Sequence, residues 1–179
     1  MLVFPETLSD EESTIAAAAS GDAEAFAELY QRYRPMIFAY SYRLCLNAAD
    51  AQDIAQETFI KMARSLAAYR PTAPFQSWLY MVCTNTARDW LRQSARRQKI
   101  QVALQDFAAE SSEEPQDFDE AAAALARLAD DLREAIVLVF YEGLNHAEAA
   151  RVLGCAETTV SWRIFKAKRK LKAILQRHD

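Results

Sequence analysis

The C-terminal part of the chain combines a helix-turn-helix pattern with side chains suited to reading duplex DNA. Asn145 and Glu148 have the spacing of a capping box, and Gly154 supplies the left-handed turn that ends this short helix. A second helix is predicted from Glu157 into a run of lysines and arginines. Helical spacing predicts a buried face formed by Ala147, Ala150, Val152, Leu153, Val160, Ile164, Ala167 and Leu171. The opposite face, which can enter a major groove, consists of Thr158, Thr159, Ser161, Trp162, Phe165, Lys166 and Arg169.

A second candidate site combines aromatic rings with arginines on a helix predicted from about Phe75 to Arg97. Planar rings stack on any unpaired base and arginines neutralise phosphates, so this combination is typical of proteins that hold unstacked bases. The helix follows a proline-bounded loop, 69–74, in which a flipped base would fit. The side predicted to face outward carries Phe75, Trp78, Met81, Asn85, Arg88, Asp89, Arg92 and Arg96. The inward side carries Leu79, Val82, Cys83, Thr86 and Trp90.

Each pattern also has an ordinary structural interpretation. Paired short helices with a glycine between them are common in helical proteins, and a lysine-rich helix is often only a solvated face. Trp and Phe residues on a helix are frequently core residues. The two patterns taken separately leave both interpretations open.

The charge of the chain is unevenly distributed, although its formal net charge is only -4. Lys and Arg number 6 against 10 Asp and Glu over residues 1–70, and 5 against 1 over 71–100. The same counts are 1 against 9 over 101–131 and 9 against 5 over 132–179. Two basic blocks therefore flank an acidic one, a distribution that permits nucleic acid as a partner despite the low isoelectric point.

Several classes of protein are disfavoured. No segment approaches the roughly 20 apolar residues that span a bilayer, and the acidic N-terminus is unlike a signal peptide, so we expect a cytoplasmic protein without membrane insertion. Cys45, Cys83 and Cys155 stand singly, which favours reduced structural thiols over metal ligands or redox sensors. We expect no cofactor, no metal and no enzymatic activity, because the sequence lacks a glycine-rich phosphate loop, a metal-ligand cluster and a nucleophile beside a base.

The organisation predicted is all-α, with two small helical domains joined by a flexible acidic linker. Only 3 Gly and 5 Pro occur, and apolar residues recur at helical spacing. One helix is expected over about 22–46, kinked or interrupted in its hydrogen bonding at Pro35. Asn47 caps the next helix, and helical pattern resumes at about 119 with a further cap near Asp131. The side of the second helix predicted to be buried carries Ile54, Phe59, Ile60, Met62 and Leu66. The boundaries are 1–19 for an N-terminal extension, 20–97 for the first domain, 98–118 for the linker and 119–179 for the second domain.

With these residues in view, the sequence resembles the extracytoplasmic-function (ECF) group of bacterial sigma factors, in the sigma-70 family. The resemblance is carried by four stretches whose order and spacing are specific together: DAEAFAELYQRYRPMIFAYSYRL (22–44), ADAQDIAQETFIKM (49–62), PFQSWLYMVCTNTARDWLR (74–92) and LREAIVLVFYEGLNHAEAARVLGCAETTVSWRIFKAKRKLKAIL (132–175). It implies a protein that binds core RNA polymerase and promoter DNA, both duplex and non-template single strand, and that is a partner of an anti-sigma factor. The first domain would then be sigma region 2 and the second sigma region 4.

The resemblance also implies residue roles. It implies that Asp53, Gln56, Glu57 and Lys61 bind polymerase. In the alternative interpretation these residues form an ordinary solvated face. By the same resemblance, the residues that hold the non-template strand of the minus-ten element are Tyr69, Phe75, Ser77, Trp78, Asn85, Arg88, Asp89 and Arg92. Reading the minus-thirty-five element falls on Thr158, Thr159, Ser161, Trp162, Phe165, Lys166 and Arg169.

Two departures from the family pattern concern the second helix of the helix-turn-helix. Cys155-Ala156-Glu157 stands where Ser or Pro is usual, and Trp162 occupies a position that is normally small or polar. Promoter preference therefore cannot be copied from relatives. The alternative function is a stand-alone helix-turn-helix regulator that binds duplex DNA, which would need a dimer interface and no strand-opening aromatics. A sigma mimic that sequesters an anti-sigma protein would usually carry a receiver domain, which this chain lacks.

Overall fold

The computed structural model describes residues 10–104 and 120–175, and every regular element in those ranges is a helix. The predicted all-α class is confirmed. The helices are α1 (Asp10–Ala19), α2 (Ala23–Cys45), α3 (Ala48–Ser65), α4 (Phe75–Leu104), α5 (Glu120–Ala126), α6 (Asp130–Ile136), α7 (His146–Leu153) and α8 (Glu157–Leu175), with a 3₁₀ turn over Leu66–Ala68 and a π-helical segment over Val137–Tyr141.

Local capping explains where α2 and α3 begin. The Asp22 side chain accepts hydrogen bonds from the backbone N–H groups of Glu24 and Ala25, and the Asn47 side chain accepts one from Asp50. The predicted Asn47 cap is thus confirmed. Pro35 does not end α2: the proline is exposed, so the carbonyl that loses its partner can be hydrated.

The core of the N-terminal domain lies between α2, α3 and α4, and α1 packs against α2. Tyr40 and Tyr80 are fully buried with ring centroids 4.8 Å apart, and the Tyr40 hydroxyl is 2.6 Å from Thr84 Oγ1. Other fully buried residues of this core are Leu29, Ile37, Ile54, Met62, Leu79 and Cys83. This packing fixes the relative positions of the loop 69–74 and the outward face of α4.

Two predicted boundaries need correction. Residues 10–19, which we assigned to an extension, form α1, whose Ile15 and Ala18 are buried against the domain. This Ala-rich helix carries too few large apolar residues to show a clear period in the sequence. Helix α4 continues past Arg97 to Leu104, because 98–104 contains no helix-breaking residue; the rest of the predicted linker, 105–118, lies outside the described residues.

Three smaller predictions were also wrong. Ile60 is 37% exposed instead of buried, since it lies at the edge of the apolar face of α3. The N-cap of α6 is Ala129, without a side-chain hydrogen bond, instead of a cap near Asp131. In α7 the buried alanines are Ala149 and Ala150, whereas Ala147 is exposed, because the helix is rotated towards its neighbours in the bundle.

The C-terminal domain is built around α6, α7 and α8. Its helix-turn-helix begins with the predicted capping box, in which Asn145 and Glu148 each bond to the other's backbone N–H. Gly154 adopts φ 66° and ψ 38°, the left-handed conformation that turns the chain between α7 and α8. Val160, Ile164 and Ala167 are buried as predicted.

Candidate nucleic-acid and polymerase interfaces

The outward face of α8 forms one continuous stripe. Thr158, Ser161, Trp162, Phe165, Lys166 and Arg169 are all exposed, and Thr159 is half-buried beside them. Because residues three and four apart share a helix face, these side chains line the side opposite the buried Val160, Ile164 and Ala167. The structure therefore brings together the whole set that we predicted from the sequence for duplex recognition.

Cations lie over the two aromatic rings of this stripe. Lys166 Nζ is 4.2 Å from the centroid of the Trp162 ring, and Arg169 Cζ is 5.6 Å from that of Phe165. Each pair spans one turn of α8, so the cations are held close to the helix by attraction to the rings. Ser161 Oγ donates to the Glu157 carbonyl at 3.2 Å and lies 2.9 Å from His146 Nδ1, which links α8 to the start of α7.

The loop before α4 is closed by an aromatic cluster. Phe75 is 2% exposed, and its ring centroid lies 5.3 Å from Tyr69, 5.4 Å from Trp78 and 5.4 Å from Tyr33. The Tyr69 hydroxyl donates to the Ala73 carbonyl at 3.0 Å, across the loop. These contacts give the loop a fixed shape.

Two of the predicted strand-holding residues are therefore inside the fold. Phe75 and Ser77 are buried, at 2% and 8% exposure, whereas Tyr69 and Trp78 remain half-exposed. The first turn of α4 points Phe75 and Ser77 into the domain, because the turn packs against α2 and the loop. The burial of Phe75 corrects the expectation that this ring faces outward, whereas the role of both residues in holding the strand stays a prediction.

A groove of about 580 Å³ separates the loop from α1. Its walls are mainly apolar, and Glu11 and Glu12 lie at one side. Glu11 accepts a hydrogen bond from the Tyr33 hydroxyl and lies 3.5 Å from Arg32 Nη1. The sequence did not indicate this groove, because α1 itself was not predicted. Its lining includes Ile15, Ala16, Ala19, Leu66, Tyr69, Pro71 and Pro74.

The predicted polymerase-binding residues share one face of α3. Asp53 and Gln56 are exposed, Glu57 is partly exposed, and Lys61 Nζ lies 3.6 Å from Asp89 Oδ2 of α4. Ile60 adds an exposed apolar side chain to the same face, since it stands three and four residues from Glu57 and Gln56.

Comparison with known proteins identifies these domains. Residues 29–97 match the family described as Sigma-70 region 2, and residues 118–171 match Sigma-70, region 4. The two matches together cover more than half of the chain. The chain belongs to the sigma-70 family of RNA polymerase sigma factors.

Similar sigma factors place it in the ECF group. The RNA polymerase sigma-H factor of Pseudomonas aeruginosa is 32% identical over 185 residues, covering 95% of this chain and 96% of that protein. The ECF RNA polymerase sigma factor SigE of Mycolicibacterium smegmatis is 32% identical over 184 residues, covering 96% and 71%. The solved structure of CnrH in complex with the cytosolic domain of CnrY has a TM-score of 0.70 and 30% identity, covering 93% of this chain and 97% of that one. The function of the chain is accordingly that of a promoter-directing sigma factor, and a stand-alone regulator is not favoured.

One feature of this sigma factor was not visible in its sequence: the two domains contact each other through buried carboxylates. Glu134 of α6 is 7% exposed and accepts hydrogen bonds from Arg88 Nε at 2.8 Å and Nη2 at 2.6 Å. These hydrogen bonds raise the pKa of the Arg88 guanidinium above its ordinary value. Arg88, one of the predicted minus-ten residues, is thus already occupied by a carboxylate.

A second carboxylate makes a similar contact at the C-terminal end of the π-helical segment. Glu142, whose side chain is 8% exposed, binds Arg43 at 3.1 Å and accepts a hydrogen bond from the Tyr80 hydroxyl. Burial and this hydrogen bond raise the pKa of Tyr80. We call Arg88–Glu134 and Arg43–Glu142–Tyr80 together the interdomain lock. Helix α7 packs on α4 beside it.

Two thiols of the N-terminal domain are perturbed by burial. Burial raises the pKa values of Cys45 and Cys83 to about 11, so both thiols stay protonated near neutral pH. Among residues 10–104 and 120–175 no group of three or more His, Cys, Asp or Glu side chains is placed to hold a metal ion. Those ranges also contain no helix with the length and apolar character of a membrane span.

Proposed function

We propose that this sigma factor reads the upstream minus-thirty-five element through the exposed stripe of α8. The observation that supports this most strongly is that the stripe is complete and continuous, with Trp162 and Phe165 exposed and Lys166 and Arg169 beside them. A helix of this kind in the major groove contacts base edges with its short and apolar side chains and phosphates with its cations.

Strand capture at the minus-ten element is the proposed role of the loop 69–74 and the outward face of α4. Tyr69 offers a half-exposed ring at the groove beside α1, and the half-exposed Trp78 ring lies 5.2 Å from it between centroids. Exposed Asn85 can hydrogen-bond a base edge. Phe75 acts indirectly, by packing against Tyr69 and Trp78, and the backbone N–H of Ser77 donates to the Pro74 carbonyl at 2.9 Å at the end of the loop. Arg88, Asp89 and Arg92 complete this face of α4.

Engagement of the minus-ten strand by Nε and Nη2 of Arg88 would require the interdomain lock to open. A guanidinium that donates two hydrogen bonds to Glu134 cannot make the same bonds to a phosphate. The closed arrangement is therefore proposed as the resting form of the free chain. DNA would favour the open form, because the Arg88 guanidinium is paired with Glu134 in the closed form.

Polymerase binding is the proposed role of the α3 face defined by Asp53, Gln56, Glu57 and Lys61. Its exposed carboxylates would meet a complementary basic surface, and Ile60 would supply an apolar contact at the centre of the interface. In the solved complex with the cytosolic domain of CnrY, CnrH is bound by that partner. We propose that an anti-sigma protein likewise binds this chain, and that the chain works in the cytoplasm without enzymatic activity.

A reconstitution with core RNA polymerase tests the assignment of α3. Reversing the charge with Asp53→Lys and Glu57→Lys should weaken co-purification with core polymerase by at least about tenfold, because two attractive contacts become repulsive. Glu24→Lys is the matched control, since Glu24 is an exposed carboxylate on α2 outside this face. Thermal unfolding confirms that all variants fold, and unchanged affinity of the double variant would remove α3 from the polymerase interface.

Run-off transcription from a randomised promoter library tests the function as a whole. The reconstituted holoenzyme should select an upstream and a downstream sequence, and Lys166→Ala with Arg169→Ala should weaken every promoter alike, because phosphate contacts carry no sequence information. A chain that binds duplex DNA alone but gives core polymerase no promoter preference would contradict the proposal.

A further inference from the structure

The DNA-facing stripe of α8 is unusually apolar for a surface that reads hydrogen-bonding groups. Phe165 is 59% exposed and Trp162 is 50% exposed, among the highest values for large hydrophobic side chains in the described part of the chain. Neither ring fills a hole in the domain, because the buried face of α8 is formed by Val160, Ile164 and Ala167. The two rings are therefore available to a ligand.

The polar neighbours of these rings have limited capacity for further hydrogen bonds. The single proton of Ser161 Oγ is used within the fold, because this oxygen lies 3.2 Å from the Glu157 carbonyl and 2.9 Å from His146 Nδ1. Ser161 is left with acceptor capacity only. Thr158, one turn earlier, is exposed on the stripe and can present its hydroxyl to a base edge.

The cations restrict how the rings can bind. Lys166 lies 4.2 Å over the Trp162 ring, and Arg169 lies 5.6 Å from the Phe165 centroid, so one face of each ring is occupied by a cation. Stacking on a base is also excluded in an intact duplex, where base faces are covered by their neighbours. The ring edges and free faces must meet groups that line the major groove.

The apolar group that the major groove offers is the C5-methyl of thymine. Trp162 and Phe165 are three residues apart, a rise of about 4.5 Å along the helix, whereas successive base pairs are about 3.4 Å apart. The spacing of the rings thus suits neighbouring base pairs better than the same one. Lys166 and Arg169 are positioned by the rings to reach the flanking phosphates.

We infer that Trp162 and Phe165 select thymine methyl groups at neighbouring positions of the minus-thirty-five element. The inference rests on the proposed role of α8 in reading that element. The surface would then recognise a duplex by the methyl groups of its C5-methylated pyrimidines, and not by hydrogen-bonding groups alone. Trp162 is the residue in which this chain departs from the small or polar side chain usual at its position, so the preference is a property of this chain.

Uracil substitution isolates the methyl group, because uracil pairs like thymine and lacks only that group. The holoenzyme first selects its upstream element from a randomised duplex library. Each thymine of the selected element is then replaced by uracil, on either strand, and the affinity of the holoenzyme is measured by competition at fixed salt. We expect roughly a three- to fivefold loss at each of two neighbouring positions, corresponding to the burial of one methyl-sized group.

Variants assign the loss to each ring. Trp162→Ser should abolish the uracil penalty at one position and Phe165→Ser at the other, while Trp162→Phe should keep most of the first penalty. Lys168→Ala is the control, because Lys168 lies over Phe140 at 4.6 Å, away from both rings. Both target side chains are exposed, so thermal unfolding should be unchanged in every variant.

The outcomes separate this inference from the proposed function. Three results would overturn the methyl inference while leaving α8 as the reading helix. The selected element could contain no thymine, uracil could cause no loss of affinity, or both serine variants could retain the loss that uracil causes. A holoenzyme whose upstream preference is unaffected by Trp162→Ser and Phe165→Ser, and whose promoter affinity is unaffected by Lys166→Ala with Arg169→Ala, would overturn the proposed role of α8 itself.

Discussion

Opening of the interdomain lock can be tested by removing one charge without changing shape. Glu134→Gln keeps the size of the side chain and one acceptor oxygen, but it removes the negative charge that Arg88 holds at 2.6 and 2.8 Å. Glu142→Gln does the same at Arg43. The substitution should raise the free energy of the closed form and so destabilise it. The open form, in which these side chains are hydrated, should be little affected.

The magnitude follows from the burial of the two partners. Breaking a fully buried ion pair from one side costs about 3–5 kcal/mol. The Arg88 side chain is 32% exposed, and the amide oxygen introduced by Glu134→Gln would still accept a hydrogen bond, so we expect about 1–3 kcal/mol. At about 1.4 kcal/mol per factor of ten, this shifts the closed-to-open equilibrium about 5- to 150-fold.

Energy transfer between two dyes measures this equilibrium in the free chain. Dyes are placed at Glu24→Cys and Arg151→Cys, which are exposed in different domains, in a background with Cys45→Ser and Cys155→Ser. Glu134→Gln should lower the transfer efficiency and strengthen binding of a single-stranded minus-ten oligonucleotide, because Arg88 is released.

The matched control removes a carboxylate of similar geometry that lies outside the lock. Glu28→Gln breaks an ion pair of 2.7 Å with Arg32, but this pair is exposed and within one helix. It should leave both the transfer efficiency and oligonucleotide affinity unchanged. If Glu134→Gln behaves like Glu28→Gln in both measurements, the contact between Arg88 and Glu134 does not hold the domains closed.

Further predictions follow from burial in the N-terminal domain. Phe75→Ala should destabilise the domain by about 3–5 kcal/mol in thermal or chemical unfolding and lower transcription on duplex and pre-melted promoters alike, since its ring is 2% exposed. Asn85→Ala, at an exposed position, should leave stability unchanged and lower transcription on duplex promoters only; equal losses on both templates would exclude Asn85 from strand capture. The free energy of unfolding should fall as pH rises from 9.0 towards 11, because burial raises the pKa of Cys83 from 9.0 to about 11 and the folded chain retains a proton that the unfolded chain releases. Cys83→Ala should reduce that fall by on the order of 2 kcal/mol. If chemical denaturation gave the same dependence of unfolding free energy on pH for Cys83→Ala as for the original chain, the fall would not come from Cys83.

Predictions that depended on residues close together in the chain were the more successful ones. The Asn47 cap and the Asn145–Glu148 capping box each involve atoms within one helical turn, so the sequence contains everything that determines them. The exposed stripe of α8 was predicted for the same reason: spacing along a helix decides which side chains share a face. The all-α class follows from the same local rules.

Positions at the edge of an apolar face were less well determined by spacing alone. Ile60 and Ala147 both fit a helical period, yet both are exposed, because a neighbouring helix covers only part of the circumference. Phe75 shows the opposite case. Its place beside a proline-bounded loop suggested an exposed ring, but Tyr33, Tyr69 and Trp78 converge on it from three parts of the chain.

The sequence by itself therefore determined the helices, the helix-turn-helix and the residues of the exposed stripe of α8, since these depend on short-range periodicity and capping. Only the tertiary structure decided that Arg88 is bonded to Glu134 and that Arg43 and Tyr80 meet Glu142. These partners are distant in the chain, and their pairing depends on desolvation and on the geometry with which two domains meet. No local pattern contains that information, so the closed arrangement of this sigma factor could be read only from its fold.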